Sequence, residues 1–225
     1  MKNSWICPIG VLAVVLCGCG DGIFVVPGDP VDFDSPAAAL AAFDTRLTEH
    51  ATLANSVIGS SANGIVGLIS TPDNLVPTTG TVAFNGSSNS IIPRANAPTI
   101  SAVGDASLAA NFATGEIAGT VTNITAANST SFGSPVAALS SSGTLALSTG
   151  TLNNFENNLI SIDYTGDLMI DGVTYEMDGT LLGDLRSSAD TTPVAASALA
   201  VSDIARATVV GDETVNVTTV LVAEQ

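Results

Sequence analysis

Beyond residue 62 the chain consists of short apolar–polar alternations separated by Gly, Ser, Thr and Asn. Successive side chains on a strand point to opposite faces, so alternation of period two marks strands with one buried face. Such runs lie at residues 81–85, 107–112, 117–122, 144–148, 159–164, 167–170 and 173–177. The clearest is 214–222, TVNVTTVLV. Asp171-Gly172 joins two of them. Asp followed by Gly suits the two-residue hairpin turn, whose central residues need left-handed backbone. The pattern predicts about eight to ten strands. Stretches 87–99 and 187–199, rich in Asn, Ser, Pro and Ala, read as surface loops. Residues 195–201, AASALAV, fit one helical turn or a strand equally well.

Antiparallel strands must hide their edges, because an open ladder invites pairing with another chain. Closure into a barrel removes edges, and a two-sheet sandwich stays open as the alternative. The inward positions hold Val, Leu, Ala and Phe with many Gly, which suits a narrow, filled barrel of roughly eight strands. Aromatics are only 4% of the chain, too few for a lipocalin-like cavity lining. The expected fold is therefore mainly β: a small antiparallel soluble β-barrel over residues 61–225. A membrane-spanning barrel needs strands of about 9–11 residues and aromatic girdles. The alternating runs suggest strands of about five to eight residues. The single Trp is Trp5, which leaves only Tyr164 and Tyr175 as girdle candidates.

Residues 37–60 form the one good helix candidate. Asp34 or Ser35 suits the cap and Pro36 the first turn. Alanines at 37–39, 41 and 42 favour helix. Leu40, Phe43, Leu47, Ala51 and Ala54 recur every three or four residues and form one apolar face. Asp44, Arg46, Glu49 and His50 are expected to face water, and Gly59 to end the helix.

The amino terminus carries a targeting pattern. A basic start at Lys2 precedes the apolar run IGVLAVVL at 9–16, and Leu16-Cys17-Gly18-Cys19 follows. The run is too short for a permanent span, which needs roughly 20 apolar residues. Cys17-Gly-Cys19 as a thiol pair or half a metal site has nothing to complete it, since the only His is His50. The Leu-Cys-Gly-Cys stretch resembles the lipobox of bacterial lipoproteins. That resemblance implies removal of residues 1–18, fatty acylation of Cys19 (palmitate or similar chains) and a membrane anchor. Gly20, rather than Asp, after the Cys implies delivery to the outer membrane. Several acyl chains hold stably where one holds only marginally. Residues 19–36, rich in Gly, Pro and Asp around Ile23 to Val26, read as a lipid-anchored tether. The apolar patch is suited to adding a short edge strand to the domain.

Charge narrows the partners. Five basic against 21 acidic residues give a net charge of −16. Nucleic-acid binding needs clustered Lys and Arg, and the only Lys is Lys2. No Gly-x-Ser-x-Gly elbow is present. One His is too few for a zinc site, and no EF-hand order appears. Asp163 and Asp167 read as flanking a solvated turn. Glu176 reads as a solvent-facing strand residue with no second carboxylate beside it. No catalytic, metal or cofactor-binding residues are assigned, and an enzyme is not expected.

Residues 106–123, ASLAANFATGEIAGTVTN, read as strand, tight turn and strand, and 177–185 read MDGTLLGDL. These segments resemble the barrel domain of transferrin-binding protein B and related surface lipoproteins, over roughly residues 80–222. The resemblance implies an eight-stranded barrel on a lipid-anchored surface chain. The expected role is a noncovalent binding module for a host or environmental protein. A structural or adhesin-like β-sandwich of the envelope is the alternative.

Overall fold

A computed structural model describes residues 35–130, 134–152, 159–188, 198–209 and 213–225. Cys19, the signal segment and the tether up to residue 34 lie outside the described residues. So do residues 189–197 of the second expected loop.

The chain opens with helix α1 (Pro36–Val57). Three short strands follow: β1 (Gly59–Ser60), β2 (Ile65–Val66) and β3 (Ile69–Ser70). Then come β4 (Thr81–Arg94), β5 (Ala97–Asn111), β6 (Glu116–Ser129), β7 (Pro135–Leu139), β8 (Ser141–Gly143) and β9 (Leu145–Leu152). The last four are β10 (Leu159–Ile170), β11 (Val173–Ser187), β12 (Ala198–Val209) and β13 (Glu213–Glu224). Eight of these close a ring in the order β4-β5-β6-β9-β10-β11-β12-β13 and back to β4, every pair antiparallel. The fold is a closed, up-and-down, eight-stranded barrel with extra strands. Closure removes the sandwich alternative.

One core cluster draws alternate residues from all eight ring strands, so it is the lumen. Phe84, Ile92, Ile100, Leu108, Ile117, Leu145, Ile162, Leu181 and Leu221 fill it. The Asp171-Gly172 turn forms as expected, with φ of 52° and 77° and Ile170 paired to Val173. Residues 198–201 are strand, not helix.

Several expectations are corrected. Ring strands other than β9 run 12–15 residues, longer than the alternation suggested. Strand length therefore no longer separates this barrel from a membrane-spanning one. Polarity does: the lumen is filled mainly by apolar side chains, while Asp163, Asp167, Glu176 and Asp178 point outward and are exposed. A spanning barrel carries the opposite arrangement. Residues 87–99 are not a loop, because β4 runs to Arg94 and β5 starts at Ala97. Nor do Asp163 and Asp167 flank a turn, since both lie mid-strand in β10 with Tyr164 between them facing in. Glu176 does have acidic neighbours: Asp178 two residues on, and Asp167 directly opposite on β10.

Helix α1 lies on the outside of the ring. Ser35 caps it, its Oγ accepting from the Ala38 amide at 3.2 Å, and Pro36 starts it. Leu40, Phe43 and Leu47 pack on Val103 and Ala127, while Leu53, Ala54 and Val57 pack on Ala198, Ala200 and Val222. Arg46 pairs with Asp105 and also donates to the Asn123 carbonyl.

His50 is the main correction on the helix. It is buried, its Nδ1 lies 2.8 Å from Ser87 Oγ, and Ala51 is exposed instead. Phe43, His50 and Val57 are spaced by sevens, which places His50 on the centre line of the buried stripe. Arg46 and Glu49 from the helix and Asp105 and Ser87 from the barrel line the same seam. Burial lowers the His50 pKa to about 4 from its ordinary 6.5. The folded chain therefore takes up this proton less readily than the unfolded one. The stability held by the neutral ring is whole above pH 6.5 and is lost as the pH falls through 4. That loss amounts to about 3 kcal/mol. Thermal unfolding between pH 7 and 4 is expected to flatten in His50→Gln relative to the native chain. Equal slopes would remove His50 as the cause.

Candidate functional site

Two places concentrate unusual side chains. The first is a polar belt inside the barrel. Asp203 pairs across β12–β13 with Thr219, and Thr219 across β13–β4 with Ser90. Ser90 Oγ and Thr219 Oγ1 lie 2.9 Å apart and are buried. Tyr164 sits at the same level on β10, opposite Gly179, which has no side chain to obstruct it. Its hydroxyl faces Thr219 without standard hydrogen-bond geometry. The β11–β12 ladder is interrupted between Asp178 and Leu182, and there the Asp203 carboxylate accepts from the Thr180 amide at 2.9 Å. Burial pushes the Tyr164 phenol up to about 12, reinforced by the Asp203 and Asp178 charges and opposed by Thr219. A phenol held this firmly protonated is a poor base and a poor nucleophile. The belt is also walled in, since Tyr164, Ser88, Ser90 and Thr219 are all buried. It packs the lumen and offers no reaction chemistry.

The second place is the hairpin that follows the helix. Ile58 caps α1, Gly59 takes φ of 92°, and β1 pairs with β2 through Gly59–Val66 and Ser60–Ile65. At Gly67 an added Cβ would strike the Gly59 nitrogen and the Ile58 carbonyl carbon. Only two facing glycines let the chain fold back this tightly. The Leu68 amide donates to the Val57 carbonyl at 3.0 Å, and Arg186 Nη1 donates to the Leu68 carbonyl at 3.0 Å. Leu68 packs beneath against the helix end. The outer side chains have no such cover. Val66 is 91% exposed, Ile69 47%, Ile58 44% and Ile65 41%. Single exposed aliphatics are ordinary; here four lie within twelve residues, Ile65 and Val66 on the hairpin, Ile58 just before it and Ile69 just after it. No Asp, Glu, Lys or Arg occurs between residues 51 and 72. On a chain of net charge −16 this stretch of sequence is uncharged, although Arg186 and Asp184 of β11 reach Leu68 and Ser70 at its end.

Sequence reasoning did not single out this hairpin. Its signal was present as apolar residues at 65, 66, 68 and 69 in an uncharged stretch between glycines. Among the described residues no group of three or more His, Cys, Asp or Glu is placed to hold a metal. Among them, too, no helix is long and apolar enough to cross a membrane. The sequence matches no family model, and neither a curated protein nor a solved structure matches the chain.

Proposed function

We propose that the chain is a lipid-anchored envelope protein of the transferrin-binding protein B-like barrel type. Cys19 carries the acyl chains at the outer membrane, and the barrel acts as a noncovalent binding module for a protein. The observation that carries the binding reading is the uncovered Ile58, Ile65, Val66 and Ile69 on and beside the hairpin. A filled lumen leaves the outer surface as the place to bind. The hairpin stands at the far end of α1 from the tether. A 22-residue helix spans about 33 Å, so the hairpin lies about that far from Ser35, where the described chain begins. The lipobox at Leu16 to Cys19 and the strand–turn–strand at 106–123 support the anchor and the family reading.

Two measurements test this. Mass analysis of the N-terminal peptide from membranes is expected to find a diacylated residue 19. A free thiol with residues 1–18 still attached would overturn the anchor. A photocrosslinking residue placed at Val66 in living cells is expected to give one discrete adduct, which Ile65→Asp removes. No adduct, with the barrel folded and anchored, would favour a purely structural role in the envelope.

A further inference from the structure

Helix α1 takes no part in closing the barrel. The eight ring strands pair all the way round without it, and no α1 residue belongs to the lumen core. The helix grips the outer wall through two separate apolar clusters. Leu40, Phe43 and Leu47 meet Val103 and Ala127, and towards the far end Leu53, Ala54 and Val57 meet Ala198, Ala200 and Val222. Between the two lies a polar seam of about 190 Å³, lined by Arg46, Glu49, His50, Ser87 and Asp105. His50 is buried there, its Nδ1 2.8 Å from Ser87 Oγ. The charges of the neighbouring strands are already engaged. Asp105 of β5 holds Arg46 through one carboxylate oxygen and accepts from Asn123 Nδ2 at 2.9 Å through the other. Glu224 of β13 accepts from Ser56 at 3.1 Å, and Arg94 of β4 is held by the Pro98 carbonyl and Asn128. Glu49 is exposed to water.

We infer that α1 is a detachable cover, released from an intact barrel when His50 takes up a proton. An imidazolium in this seam is desolvated, the barrel's carboxylate there is engaged by Arg46, and Arg46 itself is a second cation. Release returns the ring to water, where it binds the proton at its ordinary strength. Docked, burial holds its pKa at about 4 against 6.5. The docked helix is therefore favoured in full above pH 6.5 and gives way as the pH falls through 4. Between pH 7 and 4 the ratio of released to docked helix rises about a hundredfold. His50 stands midway along the buried stripe, so its proton loosens both clusters at once. Release uncovers Val103, Ala127, Ala198, Ala200 and Val222 on the wall and breaks no ladder of the ring. The barrel thus gains in acid an apolar face that α1 covers at neutral pH.

The test follows amide exchange of the full chain at pH 7 and 4, each rate corrected for the intrinsic effect of pH. Helix stability in proteins comes mostly from packing of the buried face, so a released α1 frays and exchanges. Protection over residues 40–57 is expected to fall about a hundredfold. Strands β10 and β11 carry none of the wall residues under the helix, and their protection is expected to change less than about threefold. In His50→Gln the fall over 40–57 is expected to vanish. His50 is the only histidine, so its ring resonance gives a second readout on the native chain. That resonance should move over the same pH interval as the helix exchange. Unchanged protection of 40–57 would overturn the inference. So would loss from β10 and β11 in step with α1, which is unfolding of the whole barrel. A full fall in His50→Gln would also overturn it, by placing the proton on Asp105 or Glu49. A ring that titrates at its ordinary 6.5 with α1 still docked would do the same.

Discussion

Gly183→Val is expected to prevent the barrel from closing. Gly183 faces the lumen from β11, paired with Val201 of β12. A Cβ built there would fall on the carbonyl oxygen of Ala200 and 2.7 Å from the Val201 Cα. Both are backbone atoms of a ladder strand, so no rotamer change relieves the overlap. Overpacking a core costs about 1–3 kcal/mol when side chains can shift, and more when the backbone must. A loss above about 4 kcal/mol is expected, a large fraction of the roughly 5–15 kcal/mol that holds a domain folded. Leu182→Ser, one residue earlier but outward and exposed, is expected to stay within about 0.5 kcal/mol. Urea unfolding of the two variants checks the contrast. A Gly183→Val chain that folds with a near-native midpoint would show that the β11–β12 seam yields. Gly86 meets the Val222 carbonyl in the same manner, so Gly86→Val should repeat the defect at the β13–β4 seam.

These glycines explain how far the fold could be read from sequence. Alternation at 107–112, 117–122, 159–164 and 214–222 correctly placed inward residues, and the demand for edge closure led to a barrel. The lengths were underestimated because the run at 81–85 was ended at Gly86, while Gly104 and Gly183 fell outside every run and only Gly119 lay inside one. They are inward positions where a neighbouring backbone or side chain passes too close for a side chain. Residues 87–99 looked like a loop for a related reason. Ser88 and Ser90 face the lumen, while Ser87 and Asn89 lie under the helix, so both faces are polar and the period vanishes. His50 misled because a lone histidine carries no apolar signal, yet the spacing of Phe43, His50 and Val57 already placed it inward. The hairpin at 58–69 was missed because its exposure depends on what fails to cover it, which no local pattern encodes. The absence of charge from 51 to 72 was its only legible mark.

Tyr164 offers the second large effect, and its two variants separate packing from chemistry. Tyr164→Ala is expected to cost about 3–5 kcal/mol, since it empties the largest fully buried side chain of the lumen. Tyr164→Phe keeps the ring and removes a hydroxyl without a well-formed partner. That change is expected to be neutral or to stabilise by up to about 1 kcal/mol. The two chains should then diverge at alkaline pH. An acid whose folded pKa of about 12 exceeds its unfolded value of 10 ionises more easily once unfolded. The native chain is therefore at full strength below pH 10 and loses about 3 kcal/mol as the pH climbs through 12. The Phe variant lacks this alkaline branch and should be the more stable protein at pH 11 by a margin absent at pH 8. Urea midpoints at the two pH values measure it directly. A Phe variant weaker than the native chain at both would mean the phenol does bond within the belt. The Tyr164–Thr219 contact would then be a hydrogen bond holding β10 to the far wall.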